Sequence, residues 1–135
     1  MITAVDTSVL LDVFGADPAH GERSRAALKA CLRDGALVVC EVVWAETVAC
    51  FPDDRRATAA LERLGVGFSA LDVAAASAAA RAWRVYRRAG GRRARVIADF
   101  LIAGHAAVHA DQLLTRDRGF SRRHFRGLTV LDPSR

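Results

Sequence analysis

Four carboxylates occupy positions where an acidic side chain is unusual. Asp6 and Asp117 each follow a short apolar run that is typical of a buried strand. At about 100° per residue, Glu46 falls in the middle of an apolar helix face, and Asp99 falls on a stripe of alanines. Acids are rarely placed on buried surfaces unless they are paired or bind a metal. Converging anions repel one another, so the four together predict a site for a hard divalent cation, Mg²⁺ or Mn²⁺.

Each acid taken singly has a structural alternative. Asp6 could cap the helix that begins at Thr7, Glu46 could pair with a neighbouring arginine, and Asp117 could be a turn residue. An arginine could neutralise one or two of the acids. The convergence of all four is therefore the observation that indicates a functional site.

Short apolar runs alternate with helical segments along the chain, which predicts an α/β fold. We expect a single domain, 1–135, whose central, mostly parallel sheet of about four to five strands is flanked by helices on both faces. Ligands bind beyond the carboxyl ends of such strands, where Asp6 and Asp117 are expected. The predicted strands are 2–5, 36–39, 67–71, 112–115 and 128–131, and the predicted helices are 7–14, 17–33, 41–51, 54–65, 73–89 and 96–109.

The composition favours a globular protein with a basic surface. The chain has 135 residues, of which 52% are hydrophobic, and a net charge of +5 that comes from nineteen arginines and one lysine. Guanidinium groups suit phosphate, so nucleic acid is a candidate partner, although genomic composition alone could produce an Ala- and Arg-rich chain. No transmembrane run or signal peptide is evident, and the three cysteines match no metal motif. We therefore expect a cytoplasmic protein with reduced thiols.

Four motifs around these acids resemble those of a known family. The segments are 5–10 (VDTSVL), 45–47 (AET), 99–103 (DFLIA) and 114–120 (LTRDRGF). In this order they resemble the acidic motifs of PIN-domain ribonucleases over nearly the whole chain. The length and the segment 114–120 are most similar to the VapC toxins of type II toxin–antitoxin modules.

The resemblance implies a Mg²⁺- or Mn²⁺-dependent endoribonuclease. Asp6, Asp99 and Asp117 would be direct or water-mediated metal ligands, and Glu46 would either ligate the metal or orient the attacking water. Ser8 and Thr115 match positions whose hydroxyls support the site. The resemblance also implies an RNA substrate, a homodimer and a cognate VapB-type antitoxin that reaches the active site.

Two positions depart from the family pattern. Many members carry a further acid where this chain has Gly119, so the number of metal ions stays open. Many also have alanine where this chain has Gly104.

Arginines near the acids are candidates for binding RNA. Arg116 and Arg118 flank Asp117, whereas Arg92, Arg93 and Arg95 lead towards Asp99. Four other arginines fall on one side of the helix 73–89 and could contact RNA, although a solvated helix face would explain them equally well; they are Arg81, Arg84, Arg87 and Arg88. A further basic cluster has no assigned use and consists of Arg122, Arg123 and Arg126.

Histidines and aromatic residues receive structural interpretations. His105 and His109 have a spacing that can bind zinc, but no third ligand is evident, and we predict surface or interface histidines. The large aromatic residues could stack RNA bases or line an antitoxin groove, although packing is the more common role; they are Trp44, Phe51, Trp83 and Tyr86.

Other enzyme classes fit the sequence less well. A haloacid dehalogenase-type phosphotransferase needs a second Asp at the position of Ser8, and a receiver domain needs an acidic pair and a late lysine. A nucleotide-binding fold needs a glycine-rich phosphate loop, and the two adjacent glycines Gly90 and Gly91 are too few to form one. The alternative that remains is a PIN-like domain that binds RNA or a protein without cutting.

Overall fold

One parallel sheet forms the centre of the fold. The computed structural model describes residues 1–91 and 97–135. The strands β1 to β5 lie in the order β3-β2-β1-β4-β5, and every neighbouring pair is parallel. They are β1 (Ile2–Val5), β2 (Ala36–Val39), β3 (Val66–Phe68), β4 (Gln112–Leu114) and β5 (Thr129–Leu131). The helices around the sheet are α1 (Thr7–Phe14), α2 (Gly21–Arg33), α3 (Glu41–Val48), α4 (Asp54–Leu64), α5 (Val73–Arg88), α6 (Ile97–His109) and α7 (Phe120–His124). The predicted α/β architecture is confirmed.

The central strands β1 and β4 set the position of the candidate acids. Val5 pairs with Leu114 in the register of these strands, and both side chains are fully buried. Since the strands are parallel, their carboxyl ends meet at one edge of the sheet. Asp6 follows β1 at this edge, and its N–H donates to the Leu114 carbonyl at 2.9 Å. The chain that follows β4 continues from the same edge.

Local side-chain chemistry confirms two predicted helix starts. The Asp53 carboxylate accepts a hydrogen bond from the Arg56 N–H at 2.8 Å, which caps α4. The Asp72 carboxylate accepts one from the Ala75 N–H at 2.9 Å, which caps α5. Gly65 ends α4 with a φ of 81°, a left-handed conformation that favours glycine.

Some predicted boundaries were wrong for local reasons. Asp17 does not start α2, because its carboxylate closes a turn by accepting from the Ala19 and His20 N–H groups, and the helix begins at Gly21. The helix α3 ends at Val48 rather than at residue 51. The N–H groups of residues 50 and 51 donate to carbonyls three residues earlier rather than four, which is the 3₁₀ pattern of a tightened final turn before a proline.

Two further elements differ from the sequence prediction. β3 covers Val66–Phe68 rather than 67–71, and its chain leaves the sheet after Ser69 bonds to the Val39 carbonyl at 2.9 Å. The short helix α7 was not predicted, because its five residues carry no apolar periodicity.

Gly104 allows α5 and α6 to pack closely. A Cβ atom at this position would lie 2.8 Å from the Ala75 carbonyl oxygen and 3.0 Å from the Ala79 Cβ. Both alanines are fully buried. The contact explains why glycine stands at a position where an alanine would have the better helix propensity.

In the ranges 1–91 and 97–135, no helix combines the length and hydropathy needed to cross a bilayer. All three cysteines are free thiols, of which Cys31 and Cys40 are buried.

Candidate active site

Asp6 lies at the carboxyl end of β1 and faces β4. Its Oδ2 accepts a hydrogen bond of 2.5 Å from the Thr115 hydroxyl. Asp6 occupies the N-cap position of α1, as the capping alternative expected, but in the described chain its carboxylate makes no side-chain capping hydrogen bond. Burial raises the pKa of Asp6, and the Thr115 hydrogen bond lowers it.

Asp117 and Asp99 are the charged neighbours of Asp6. The charges of both carboxylates raise the pKa of Asp6, so the three acids share one electrostatic environment. Asp99 occupies the first turn of α6, where the helix dipole favours a negative charge. Asp99 and Asp117 therefore lie close enough to Asp6 for their charges to act on it.

Asp117 also organises the turn that leads into α7. Its carboxylate accepts hydrogen bonds from the Gly119 N–H at 3.0 Å and the Ser121 N–H at 2.8 Å, and a third from the Ser121 hydroxyl. The turn interpretation of Asp117 is thus confirmed, together with its approach to Asp6. Ser121 was missed by the sequence analysis, because a serine four residues after an acid is not a distinctive signal.

Glu46 does not lie on the buried face of α3. Val43 and Thr47 form that face, whereas Glu46 is exposed, so the predicted placement was wrong. The predicted face had been drawn partly with residues 49 and 50, which lie beyond the end of the helix. Glu46 Oε1 instead accepts a hydrogen bond of 2.7 Å from the Thr7 hydroxyl.

Thr7 connects Glu46 to the strand end that carries Asp6. It follows Asp6 directly and begins α1, so its bond to Glu46 ties α3 to the carboxyl end of β1. Within residues 1–91 and 97–135, no ion pair joins Glu46 to an arginine. Thr7 was not among the predicted site residues. Its position directly after Asp6 is the one feature of the sequence that could have identified it.

Ser8 contributes a hydroxyl with an unsatisfied hydrogen bond. Ser8 Oγ is buried and has no hydrogen-bond partner among the described residues. Buried polar atoms in native proteins are nearly always bonded to protein, water or an ion. The two hydroxyls predicted to support the site therefore have different roles. The Thr115 hydroxyl bonds to Asp6, whereas the Ser8 hydroxyl, two residues after Asp6 in the chain, has no described partner.

The donor set fits a hydrated divalent cation. All four acids carry carboxylate oxygens, the kind of donor that Mg²⁺ and Mn²⁺ prefer. Burial is the main cause of the raised pKa of Asp6, and the charges of Asp117 and Asp99 add to it; a bound cation would offset both effects. In the described ranges, no three acid, histidine or cysteine side chains form a group arranged to hold one ion. A Mg²⁺ ion that keeps several waters suits such an open arrangement.

Arg116 has a structural partner. Its Nε and Nη2 each donate a hydrogen bond of 2.7 Å to Asp12, which also accepts one of 2.7 Å from the Ser24 hydroxyl. Burial raises the pKa of Asp12, but the bonds from Arg116 and Ser24 outweigh it, and the net pKa is lowered. The clamp joins α1 and α2 to the loop after β4.

The other arginines predicted to bind RNA are placed differently. Arg118 is exposed and has a φ of 59° in the turn after Asp117. Arg92, Arg93 and Arg95 lie outside the described residues, as does the predicted start of the helix at residue 96. RNA contact by any of these arginines, and by Arg116, stays a prediction.

His105 is buried, so its prediction as a surface or interface residue was wrong. Its Nε2 lies 3.0 Å from the Ser69 hydroxyl, and burial lowers its pKa. His109 Nε2 lies 3.0 Å from Asp72 Oδ2, which caps α5. Both histidines thus have structural contacts away from the acids.

The large aromatic residues are half-buried and pack on other rings, in line with the more common interpretation. Trp44 meets Phe68 edge to face at a centroid distance of 5.7 Å, and Phe51 meets Phe14 at 5.3 Å. Trp83 and Tyr86 of α5 pack on Phe100 of α6 at 6.3 and 5.3 Å, respectively. These contacts join α1 to the segment after α3, α3 to β3, and α5 to α6.

The chain belongs to the PIN domain family. The family model, described as PIN domain, matches residues 3–125. The match includes all four acids. No curated protein sequence matches the chain.

Solved structures share the whole fold at low sequence identity. A chain of VapBC2 from Rickettsia felis, bound to a DNA fragment from its promoter, has a TM-score of 0.76 and 17% identity, with 98% of each chain covered. A chain of VapBC-1 from nontypeable Haemophilus influenzae has a TM-score of 0.74 and 17% identity, with 100% of each covered. A chain of a toxin–antitoxin complex from Klebsiella pneumoniae has a TM-score of 0.72 and 19% identity, with 97% of each chain covered.

Proposed function

We propose that this chain is a metal-dependent endoribonuclease, the VapC-type toxin of a type II toxin–antitoxin module. The observation that carries the proposal is that Asp6, held by the Thr115 hydroxyl at the carboxyl edge of the sheet, lies within electrostatic reach of Asp99 and Asp117. Membership of the PIN domain family supports it, as does the fold shared with chains from VapBC complexes. RNA is the proposed substrate, and Mg²⁺ or Mn²⁺ the proposed cofactor.

The residues would divide the work by position. Asp6, Asp99 and Asp117 would ligate the ion directly or through water, and Glu46 would ligate it or orient the attacking water. Thr115 holds Asp6, and Thr7 holds Glu46. A bound divalent ion lowers the pKa of water and stabilises charge on a phosphate. Hydrolysis would leave a 5′-phosphate and a 3′-hydroxyl.

The proposed partners follow from the same comparisons. The solved neighbours are complexes of a toxin with an antitoxin, so we propose a VapB-type antitoxin as the protein partner. A homodimer in the cytoplasm is the proposed working form. A cognate antitoxin would silence cleavage by reaching the acidic site.

Cleavage of total cellular RNA tests the proposal. Purified protein, freed of antitoxin, is incubated with Mg²⁺, with Mn²⁺ or with EDTA, and RNA ends are mapped by sequencing. We expect discrete cuts that carry 5′-phosphates, require the metal and disappear in Asp6→Asn. Asp54→Asn, which changes an exposed acid at the start of α4, is the matched control and should cut normally. RNA binding without cuts under any metal would favour the non-catalytic PIN-like domain.

A further inference from the structure

A groove runs between α5 and the chain that leads from α7 towards β5. Its volume is about 650 Å³. One wall is the exposed side of α5, and the other is the segment 123–127. Its lining includes Arg81 and Val85 on the α5 side and Arg123, His124 and Arg126 on the other.

The charge of this groove has one sign. Arg81, Arg123 and Arg126 are exposed, and no carboxylate lines the groove in the described part of the chain. None of the three guanidinium groups makes a hydrogen bond or ion pair within residues 1–91 and 97–135. By contrast, neighbouring Arg122 donates to the Val130 carbonyl at 2.9 Å. Unpaired guanidinium groups that share a groove suit the oxygens of phosphate groups.

The groove begins one short helix away from the acidic site. The turn held by Asp117 leads directly into α7, and Arg123 lies in its last turn. Five helical residues span only about 7.5 Å. The Arg123 N–H donates to the Gly119 carbonyl at 3.0 Å, so Arg123 is fixed relative to that turn. A polymer bound at the acids could therefore continue into the groove.

An aromatic cluster fixes both walls of the groove to the helix that carries Asp99. Tyr86 of α5 and Phe120 of α7 both pack on Phe100, the residue after Asp99, at centroid distances of 5.3 and 5.0 Å. His124 of α7 packs on Tyr86 at 5.3 Å. Because one cluster connects the walls and the acids, the groove has a defined position relative to the site of cleavage.

We propose that this groove binds the phosphate backbone of the RNA substrate beside the cleavage site, through Arg81, Arg123 and Arg126. The proposal rests on the proposed ribonuclease function and adds a binding site to it. Contacts of this kind position an RNA without reading its sequence. The groove therefore contributes affinity for long RNA and leaves the chemical step to the acids.

Direct binding is the first arm of the test. The double variant Arg123→Gln/Arg126→Gln is compared with Arg55→Gln/Arg63→Gln, which removes the same charge from exposed positions on α4. Binding of a fluorescein-labelled, unstructured mixed-sequence RNA is measured by anisotropy in EDTA over a salt series. We expect the groove variant to bind about tenfold more weakly and to lose about 1.4 from its log–log salt slope, because each single-strand contact contributes about 0.7. The control keeps the wild-type slope.

Cleavage kinetics are the second arm. With Mg²⁺ present, the groove variant should raise KM for a long RNA and leave kcat unchanged. Both parameters should stay at wild-type values for a short oligonucleotide that fills only the acidic site. Circular dichroism and thermal melting check that each variant is folded.

The outcomes separate this inference from the proposed function. Loss of affinity and salt slope in a protein that cuts no RNA would support the groove and refute the ribonuclease. A groove variant that binds and cuts long RNA like the wild type would overturn the groove. If it keeps RNA affinity but loses binding of a polyglutamate peptide, the groove takes an acidic protein segment instead, and the inference is wrong.

Discussion

Thr115 Oγ1 lies 2.5 Å from Asp6 Oδ2, and this hydrogen bond joins residues 109 positions apart in the chain. Asp6 follows β1 and Thr115 follows β4, which are neighbouring parallel strands. The sheet register thus brings a hydroxyl from one motif onto the acid of another. The contact holds one oxygen of Asp6 and fixes the orientation of its carboxylate.

Removing the hydroxyl should change the pH dependence of cleavage. Burial raises the pKa of Asp6, and the Thr115 bond lowers it. In Thr115→Val the pKa of Asp6 therefore rises further, and a higher pH is needed to ionise it. We expect the acidic limb of the kcat/KM profile to move to higher pH and the rate to fall about tenfold.

The conservative variant is the control for this effect. Thr115→Ser keeps the hydroxyl and should restore the wild-type acidic limb. An unchanged limb in Thr115→Val would show that the hydrogen bond does not set the ionisation of Asp6.

Asp6→Asn should stabilise the metal-free protein near pH 7. The pKa of Asp6 is raised in the folded state, so its ionised form opposes folding. The stability gained from Asn should disappear as the pH falls through the folded pKa, below which Asp6 is protonated. Urea unfolding at several pH values measures this difference.

Added Mn²⁺ should reverse the order of stability. An ion that binds only the folded wild type adds about 2.7 kcal/mol at one hundred times its Kd. We expect this increase in the wild type and little in Asp6→Asn. Equal stabilisation of both proteins would place the ion elsewhere.

Most of the fold could be predicted because hydrophobic pattern and turn residues act locally. β1 and β2 have the predicted bounds, and Asp53 and Asp72 cap the expected helices. The exceptions depend on geometry that periodicity does not encode. α7 is five polar and aromatic residues that follow a turn held by Asp117.

Breaking the Asp12–Arg116 pair should destabilise the fold. The Asp12 side chain is 4% exposed, and both its oxygens are bonded. Arg116→Met leaves a buried carboxylate without its counter-charge, which costs about 3 kcal/mol in unfolding free energy. Arg118→Met, at an exposed position in the same turn, is the matched control and should change stability little.

The pH dependence of this pair has the opposite sign to that of Asp6. The folded pKa of Asp12 is lowered, so its contribution is present above the unfolded value and lost as the pH falls through the folded one. The stability difference between wild type and Arg116→Met should therefore shrink in acid. A difference that is constant with pH would contradict the pairing.

Gly104→Ala should weaken the contact between α5 and α6. Alanine has the better helix propensity by about 1 kcal/mol, but its Cβ would lie 2.8 Å from the Ala75 carbonyl oxygen. Overpacking costs about 1 to 3 kcal/mol, so we expect a net loss of about 1 kcal/mol in chemical denaturation. Gly127→Ala is the control, since a Cβ there meets none of the described atoms within 4 Å. If Gly104→Ala were more stable than the wild type, α5 and α6 would be able to move apart without a cost in stability, and the close contact would not require glycine.

The candidate site was predicted in its residue types and only partly in its geometry. Acids that follow apolar strands pointed to Asp6 and Asp117, because parallel strands end at one edge. The burial of Glu46 was predicted wrongly, since the helical count ran past the end of α3. The pairing of Arg116 with Asp12 joins residues 104 positions apart, and nothing in the local pattern specifies it.

Single-turnover cleavage of one mapped RNA tests the central claim most directly. The wild type is compared in Mg²⁺ with Asp6→Asn, Glu46→Gln, Asp99→Asn and Asp117→Asn, and with Asp54→Asn as the control. We expect Asp6→Asn and Asp99→Asn to lose about 100-fold or more in rate while they retain RNA affinity in EDTA. Full metal-dependent cleavage by either variant would contradict the assignment of this acidic site as the catalytic centre.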